Sequence, residues 1–215
     1  MSFLNQLKTQ ASALQVQQAE QHRNLEASTK QTELGCQTVA LYLDDLARQL
    51  NVIQPAGPKL SLDGKTHWPA MKLMNFRVDT RKKRLRDRDV YDYIAMGWDI
   101  VPQAGAPVMG AVSVNFPPDL ERVEKRLGFG GVKFERKDVR HPENNKLQAI
   151  RFEYQTESRG YITVTADHDA AQLSFRLANL QGFEILNVSW DAARIQTELL
   201  DELAKLVLGQ ASKFL

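Results

Sequence analysis

Cysteine is almost missing: Cys36 is the one thiol in 215 residues. It can close no intrachain disulfide and cannot by itself assemble a thiolate metal cluster, so a reducing, cytoplasmic setting is the expectation. Excess charge is equally scarce, with 28 Lys and Arg against 26 Asp and Glu for a net +2. A chain so balanced has no whole-molecule field for a polyanion, and any such attraction has to be local. Long apolar runs are missing too, so no membrane-spanning helix is expected. Met1 to Ala13 offers one cation, Lys8, and scattered Phe3, Leu4 and Leu7 among Gln and Asn, unlike the apolar stretch of a secretory signal. The four histidines, His22, His67, His141 and His168, stand in no two-ligand spacing, and no Gly-x-Ser-x-Gly nucleophile elbow occurs. Internal repeats are also lacking, and the only biased tract is the Gln-rich start.

What is present fits a globular chain: 43% hydrophobic and 25% charged residues allow a sizeable core. From Ser2 to about Leu50 there is no proline, and apolar residues recur at steps of three and four. Leu4, Leu7, Ala11, Leu14 and Leu25, with Gln18 and Gln21 between them, keep a/d spacing, a seam apolar at its start and polar in its middle. The polar stretch Ser28 to Thr32 and Gly35 predict a break or kink, followed by a second stripe of Leu34, Val39, Leu43, Leu46 and Leu50. Gln54, Pro55, Ala56, Gly57 and Pro58 then stop the helix, since proline lacks the amide donor and restricts its predecessor. The division expected is a helical arm over 1–53, two helices or one kinked helix, and an α+β domain over 59–215 with the arm docked on it.

Beyond Met71 the period changes from helical to alternating, which predicts an antiparallel meander of about 7–8 strands near 71–79, 89–101, 108–116, 132–140, 147–154, 161–166, 172–178 and 183–190. Pro117 and Pro118 open a short inserted helix with Asp119 and Glu121 in its first turn and Gly128 after it. Asp191 to about Phe214 carries a wide apolar arc (Ile195, Leu199, Leu200, Leu203, Leu206, Val207, Phe214), expected as a long amphipathic helix on the concave face of the sheet. Over residues 108–214 this element order is similar to the helix-grip arrangement, in which a curved sheet holds a final helix over a cavity. That resemblance is one of order alone, without a shared motif.

The sharpest local feature is Arg81, Lys82, Lys83, Arg84, Leu85, Arg86, Asp87, Arg88, six bases and one acid in eight positions. Charge is segregated around it, at +4 over residues 52–101 and −2 over 151–190. One reading is a hairpin tip that contacts phosphates through Arg81, Lys82, Lys83, Arg84, Arg86 and Arg88, with Tyr91 and Tyr93 as stacking surfaces. The plainer reading is a solvated turn whose charges pair with Asp79, Asp87, Asp89 and Asp92 and discourage edge-to-edge association.

Weaker patterns have simpler explanations. Asp119 followed by Glu135 and Lys137 looks like the carboxylate and Glu-x-Lys core of many nucleases, where two carboxylates hold a hard cation and the lysine orients water. Such short patterns recur by chance, and Asp119 sits where a helix wants an acid. Asp167, His168 and Asp169 read as a turn. Gly128, Phe129, Gly130 and Gly131 follow a helix instead of opening one, so they end it and do not cradle phosphate. Cys36 in an amphipathic helix is an inert core thiol, and Trp68, Trp98 and Trp190 are core anchors.

No catalytic, cofactor-binding or metal residue is assigned and no cofactor is expected. Three classes of function follow. The first is a non-enzymatic interaction or assembly protein, self-associating or binding a protein partner through the Leu4 to Leu25 seam, which is too weak to stand as a solitary helix. The second is nucleic-acid binding through the basic hairpin at 81–88. The third is a small apolar ligand held between sheet and C-terminal helix. An enzymatic role has the least support.

Overall fold

The computed structural model describes residues 3–215, with the side chain of Leu4 left out. A single helix, α1, runs without interruption from Phe3 to Ile53. The break expected between Ser28 and Gly35 is not there, for two physical reasons. Thr29 and Thr32 turn their hydroxyls back onto the carbonyls of Leu25 (2.7 Å) and Ser28 (2.8 Å), so their polar groups are satisfied inside the helix and can be buried. Gly35 serves close packing: a Cβ there would meet Ala192 O and Leu173 Cδ1 at 3.4 Å.

Eight strands follow, close to the expected positions: β1 (Met71–Leu85), β2 (Arg88–Pro102), β3 (Met109–Val114), β4 (Phe134–Arg140), β5 (Leu147–Gln155), β6 (Ser158–Asp167), β7 (Gln172–Ala178) and β8 (Ile185–Asp191). They do not form one meander. Five make an antiparallel sheet of order β1-β2-β6-β7-β8, and three make a smaller sheet of order β3-β5-β4. The unit β3, α2 (Pro117–Gly130), β4 and β5 is thus an insertion between two strands, β2 and β6, that are hydrogen-bonded neighbours. Alternation gives each strand its faces and is blind to which strand it pairs with.

The buried face of the large sheet carries Ile94, Met96, Trp98, Ile162, Val164, Leu173, Phe175 and Leu177, the inward members of the alternating pattern. Trp98 lies opposite Gly160, where any Cβ would stand 2.3 Å from the indole, so this cross-strand pair needs glycine. The C-terminal half of α1 covers this face, burying Cys36, Val39, Leu43, Ala47 and Leu50 in the same core. The Asn51 side chain pins the helix end, bonding Phe76 O (2.9 Å) and Phe76 N (2.7 Å) at the point where the β1 register shifts.

The C-terminal helix is shorter than expected. A single 3-10 turn, Ala192–Arg194, precedes α3 (Thr197–Val207), and the chain then folds back, with Ser212 Oγ donating to Glu202 O at 2.7 Å. Leu200, Leu203, Leu206 and Val207 are buried, and Phe214 is held edge-on by Phe175 at 5.2 Å. Tyr42 of α1 donates to Asp201 of α3 at 2.6 Å. The helix spanning the large sheet is therefore α1, with α3 beside it. The helix-grip order is present while the gripping element has changed, because the long apolar stripe of α1 offers more surface than the three turns of α3.

The insertion is fastened through the loop between α1 and β1. Trp68 stacks on Tyr154 (5.6 Å) and meets Phe183 edge-on (5.2 Å), while Arg126 of α2 donates to Ser61 O and Leu62 O. Asn179 bridges Phe129 O and Arg159 O, and Ser158 donates to Gly130 O. Helix α2 ends later than expected, at Gly130, with Gly131 in the left-handed region at φ 57°.

Candidate functional site

Only the C-terminal half of α1 has a sheet to lie on. From Phe3 to Asn24 every described side chain is exposed, so about 33 Å of helix projects from the body at 1.5 Å per residue. Phe3, Leu7 and Leu14 are 74%, 45% and 57% exposed, Ala11 is exposed, and Leu25 is half-buried where the helix meets the body. Leu4, first of the expected seam residues, has its side chain outside the described set. At about 100° per residue, positions 3, 7, 11, 14, 18, 21 and 25 fall in the same arc of about 100° as 29, 32, 36, 39, 43, 47 and 50. The latter are, apart from Gly35, the residues of α1 that the body buries. One stripe, apolar towards both ends and mostly polar from Gln18 to Thr32, therefore runs the length of α1, covered over its second half and bare over its first.

The basic hairpin sits at the junction of these halves. Pairing of β2 with β6 ends at Tyr93, so the tip of the β1–β2 hairpin overhangs the sheet and lies against α1. Arg86 Nη1 donates to Thr29 Oγ1 at 2.9 Å, and its Nη2 forms an ion pair with Asp169. Arg88 reaches Glu26 at 3.4 Å, and Tyr91 N donates to Glu33 Oε1 at 2.8 Å. His168, buried, bonds Tyr91 O through Nε2 at 2.8 Å and lies 3.9 Å from Glu33. The turn is tight: Arg86 and Asp87 both have positive φ (46° and 62°), the type I′ geometry usually given to Asn and Gly. The contacts of Arg86 offset that local strain.

The other bases of the run have partners as well. Arg81 and Lys83 flank Asp92 at 3.4 and 3.2 Å, Arg84 lies 3.5 Å from Asp89 and 3.9 Å from Asp87, and Lys82 stands over the Tyr91 ring at 5.0 Å. Each of the six cations thus has a partner within the molecule, although Arg81, Arg84 and Arg88 remain 64–67% exposed and only Arg86 is largely covered.

The nuclease-like residues are dispersed. Glu135 and Lys137 lie on the outward face of the small sheet, where Lys137 pairs with Glu153 and with Glu135 (3.4 Å) and Arg151 reaches Glu153 at 3.1 Å. Hydrogen bonding holds the Glu153 carboxyl below its ordinary range and raises Lys137. Asp119 is paired with Arg122 in the first turn of α2, on the other side of that sheet. Among the described residues no group of three or more His, Cys, Asp and Glu side chains is arranged to hold a metal. Asp167 caps its own turn, accepting from Asp169 N and Ala170 N. Cys36 is 1% exposed, and burial pushes its thiol up to about 12. Trp68 and Trp98 are buried and Trp190 is partly so.

Sequence reasoning found the seam and the basic run and missed what joins them. Glu26, Thr29, Glu33 and His168 are polar residues of a docking seat; Thr29 lies in the polar stretch that suggests a helix break, His168 in the trio that reads as a turn, and Glu26 and Glu33 carry no sequence signal of their own. Among the described residues no helix is long and apolar enough to cross a membrane. Comparison of this chain with protein-family models, with curated proteins and with solved structures finds no match.

Proposed function

We propose that this is a non-enzymatic assembly protein: the α+β body holds out the first half of α1, and that arm pairs with the arm of another copy. The observation that carries the reading is the bare half of the α1 stripe, set in line with the half the body already covers. The bare half of α1 lacks the tertiary packing from which most helical stability in proteins comes, and its exposed Phe3, Leu7 and Leu14 gain from being covered.

A second copy suits the surface. Residues 3–19 carry one charge, Lys8, so two arms meet with little repulsion. Gln18 and Gln21, on the same stripe, are uncharged amides and add no repulsion either.

Sedimentation of the full chain across concentrations is the test. The parent should sediment above the 24.4 kDa monomer, and Leu7→Asp with Leu14→Asp should sediment as a monomer with an unchanged circular dichroism spectrum. A parent that stays monomeric at about 100 μM, far above the dissociation constants typical of specific pairs, removes the reading.

The two other readings have less behind them. The basic run is matched by carboxylates and by α1, which supports its role as a clamp on the helix. The apolar face of α3 is packed into the core, where Leu200 and Leu203 are fully buried.

A further inference from the structure

We infer that two arms pair antiparallel, each running back along the other until its tip meets the partner's β1–β2 hairpin. The inference rests on the self-association proposed above and adds its geometry. It follows from where the body lies relative to the bare stripe.

The residues of α1 buried by the body and the exposed apolar residues of the arm share one side of the helix. The body therefore stands on the side from which a second helix must approach. In a parallel pair each body would lie on the flank of its own helix that faces the other helix. The first body and the second helix would then claim the same space from about residue 25 onward, where Arg86 and Thr29 already meet. Side-by-side parallel pairing along the whole seam is excluded by that overlap. In an antiparallel pair the bodies lie at opposite ends, and the partner helix occupies only the bare stretch.

The hairpin sets the length of the overlap. It closes the stripe at Thr29 and Glu26, so an incoming helix extends along residues 3 to about 25 and stops there. Full overlap of the two arms places Leu14 beside the two-fold axis and Leu7 beside the partner's Gln21. Equivalent Leu7 residues are then separated by about 21 Å along the axis, fourteen residues at 1.5 Å each. The opposite side of α1 is a poorer seam, since its exposed Val16, Leu34, Leu41 and Val52 alternate with Arg23, Lys30, Asp45 and Arg48.

Oxidative cross-linking of full-length variants tests this. The buried native Cys36 serves as an inert background, with the parent chain as control. After sedimentation has established a dimer, Leu7→Cys mixed with Gln21→Cys should form a covalent 7-to-21 dimer, Leu14→Cys should cross-link with itself, and Leu7→Cys alone should not. A disulfide requires Cα atoms within about 7 Å, so a 7-to-7 product in place of the 7-to-21 product overturns the antiparallel full overlap while leaving self-association standing. A monomer in sedimentation removes both together. Should Leu7→Cys weaken the pairing, nitroxides at Asn5→Cys, off the stripe, give a second reading by pulsed electron resonance. The distance read combines an axial offset of about 27 Å (eighteen residues at 1.5 Å) with the lateral spacing of helix axes plus labels, so a value well beyond that lateral spacing fits the antiparallel pair and one no larger than it overturns it.

Discussion

Arg86 Nη1 donates to Thr29 Oγ1 at 2.9 Å, joining the turn of the β1–β2 hairpin to the point where α1 leaves the body. The same guanidinium binds Asp169 in the turn between β6 and β7. One side chain thereby ties three elements together at the root of the arm. A run of bases that reads as a surface for phosphates acts, at this position, on the protein itself.

Replacing Arg86 by alanine removes the donor to Thr29 and leaves two positive-φ residues without their anchor. The expected cost is about 1 to 3 kcal/mol, measured by urea unfolding, with faster amide exchange over residues 22–33. Thr29→Val keeps the side-chain shape and loses the hydroxyl, both the acceptor for Arg86 and the donor to Leu25 O, while the Arg86–Asp169 pair stays, so its effect should be the smaller of the two. Equal protection of that segment in Arg86→Ala and parent would refute the clamp.

Gly160→Ala drives a methyl group into the Trp98 indole. Overpacking of this kind costs about 1 to 3 kcal/mol or more, because the tryptophan is fully buried and its own strand is paired on both sides. A melting temperature within about a degree of the parent would show that Trp98 can move aside.

Cys36 and Tyr42 predict an alkaline limit to stability. Burial pushes the Cys36 thiol from 9.0 up to about 12, and burial with the Asp201 contact raises Tyr42. Both folded values lie above the unfolded ones, so the native state holds these protons more tightly. Stability is complete below about pH 9 and falls as pH rises from there toward 12, by up to about 1.4 kcal/mol per pH unit for the buried Cys36 and by less for Tyr42, whose hydroxyl is screened by solvent. Urea midpoints at pH 8 and pH 10 check this, and Cys36→Ala should flatten part of the slope. The native thiol should also resist disulfide reagents at pH 8 until the chain is unfolded.

Nucleic-acid binding is tested directly by gel shift with duplex and single-stranded probes at two salt concentrations. The six bases of the hairpin are engaged with Asp87, Asp89, Asp92, Asp169, Glu26 and the Tyr91 ring. No complex is expected at about 0.15 M salt, where exposed charge pairs are already screened beyond about 8 Å. Retention that declines steeply with salt would move the function to the hairpin.

Periodicity and punctuation alone determined that α1 ends before Pro55, that about seven or eight strands lie near their observed positions, though β1 runs six residues past its expected end at 79, and that Leu7, Ala11 and Leu14 share a face. These are local properties, set by backbone geometry within a few residues. Three things needed the tertiary structure. Ser28 to Gly35 reads as a break because Thr and Gly weaken a free helix, yet back-bonded hydroxyls and a close approach by Ala192 and Leu173 keep it helical. Strand pairing divides the expected meander into two sheets, since alternation fixes faces and is silent on neighbours 55 residues away. The basic run found carboxylates and α1, because its partners Glu26 and Asp169 lie 62 and 83 residues from Arg88 and Arg86. Sequence showed two stripes, Leu4 to Leu25 and Leu34 to Leu50; only the fold decided that they lie on one helix, that only the second is covered and that Leu34 is left exposed, because burial depends on what the rest of the chain brings to each face.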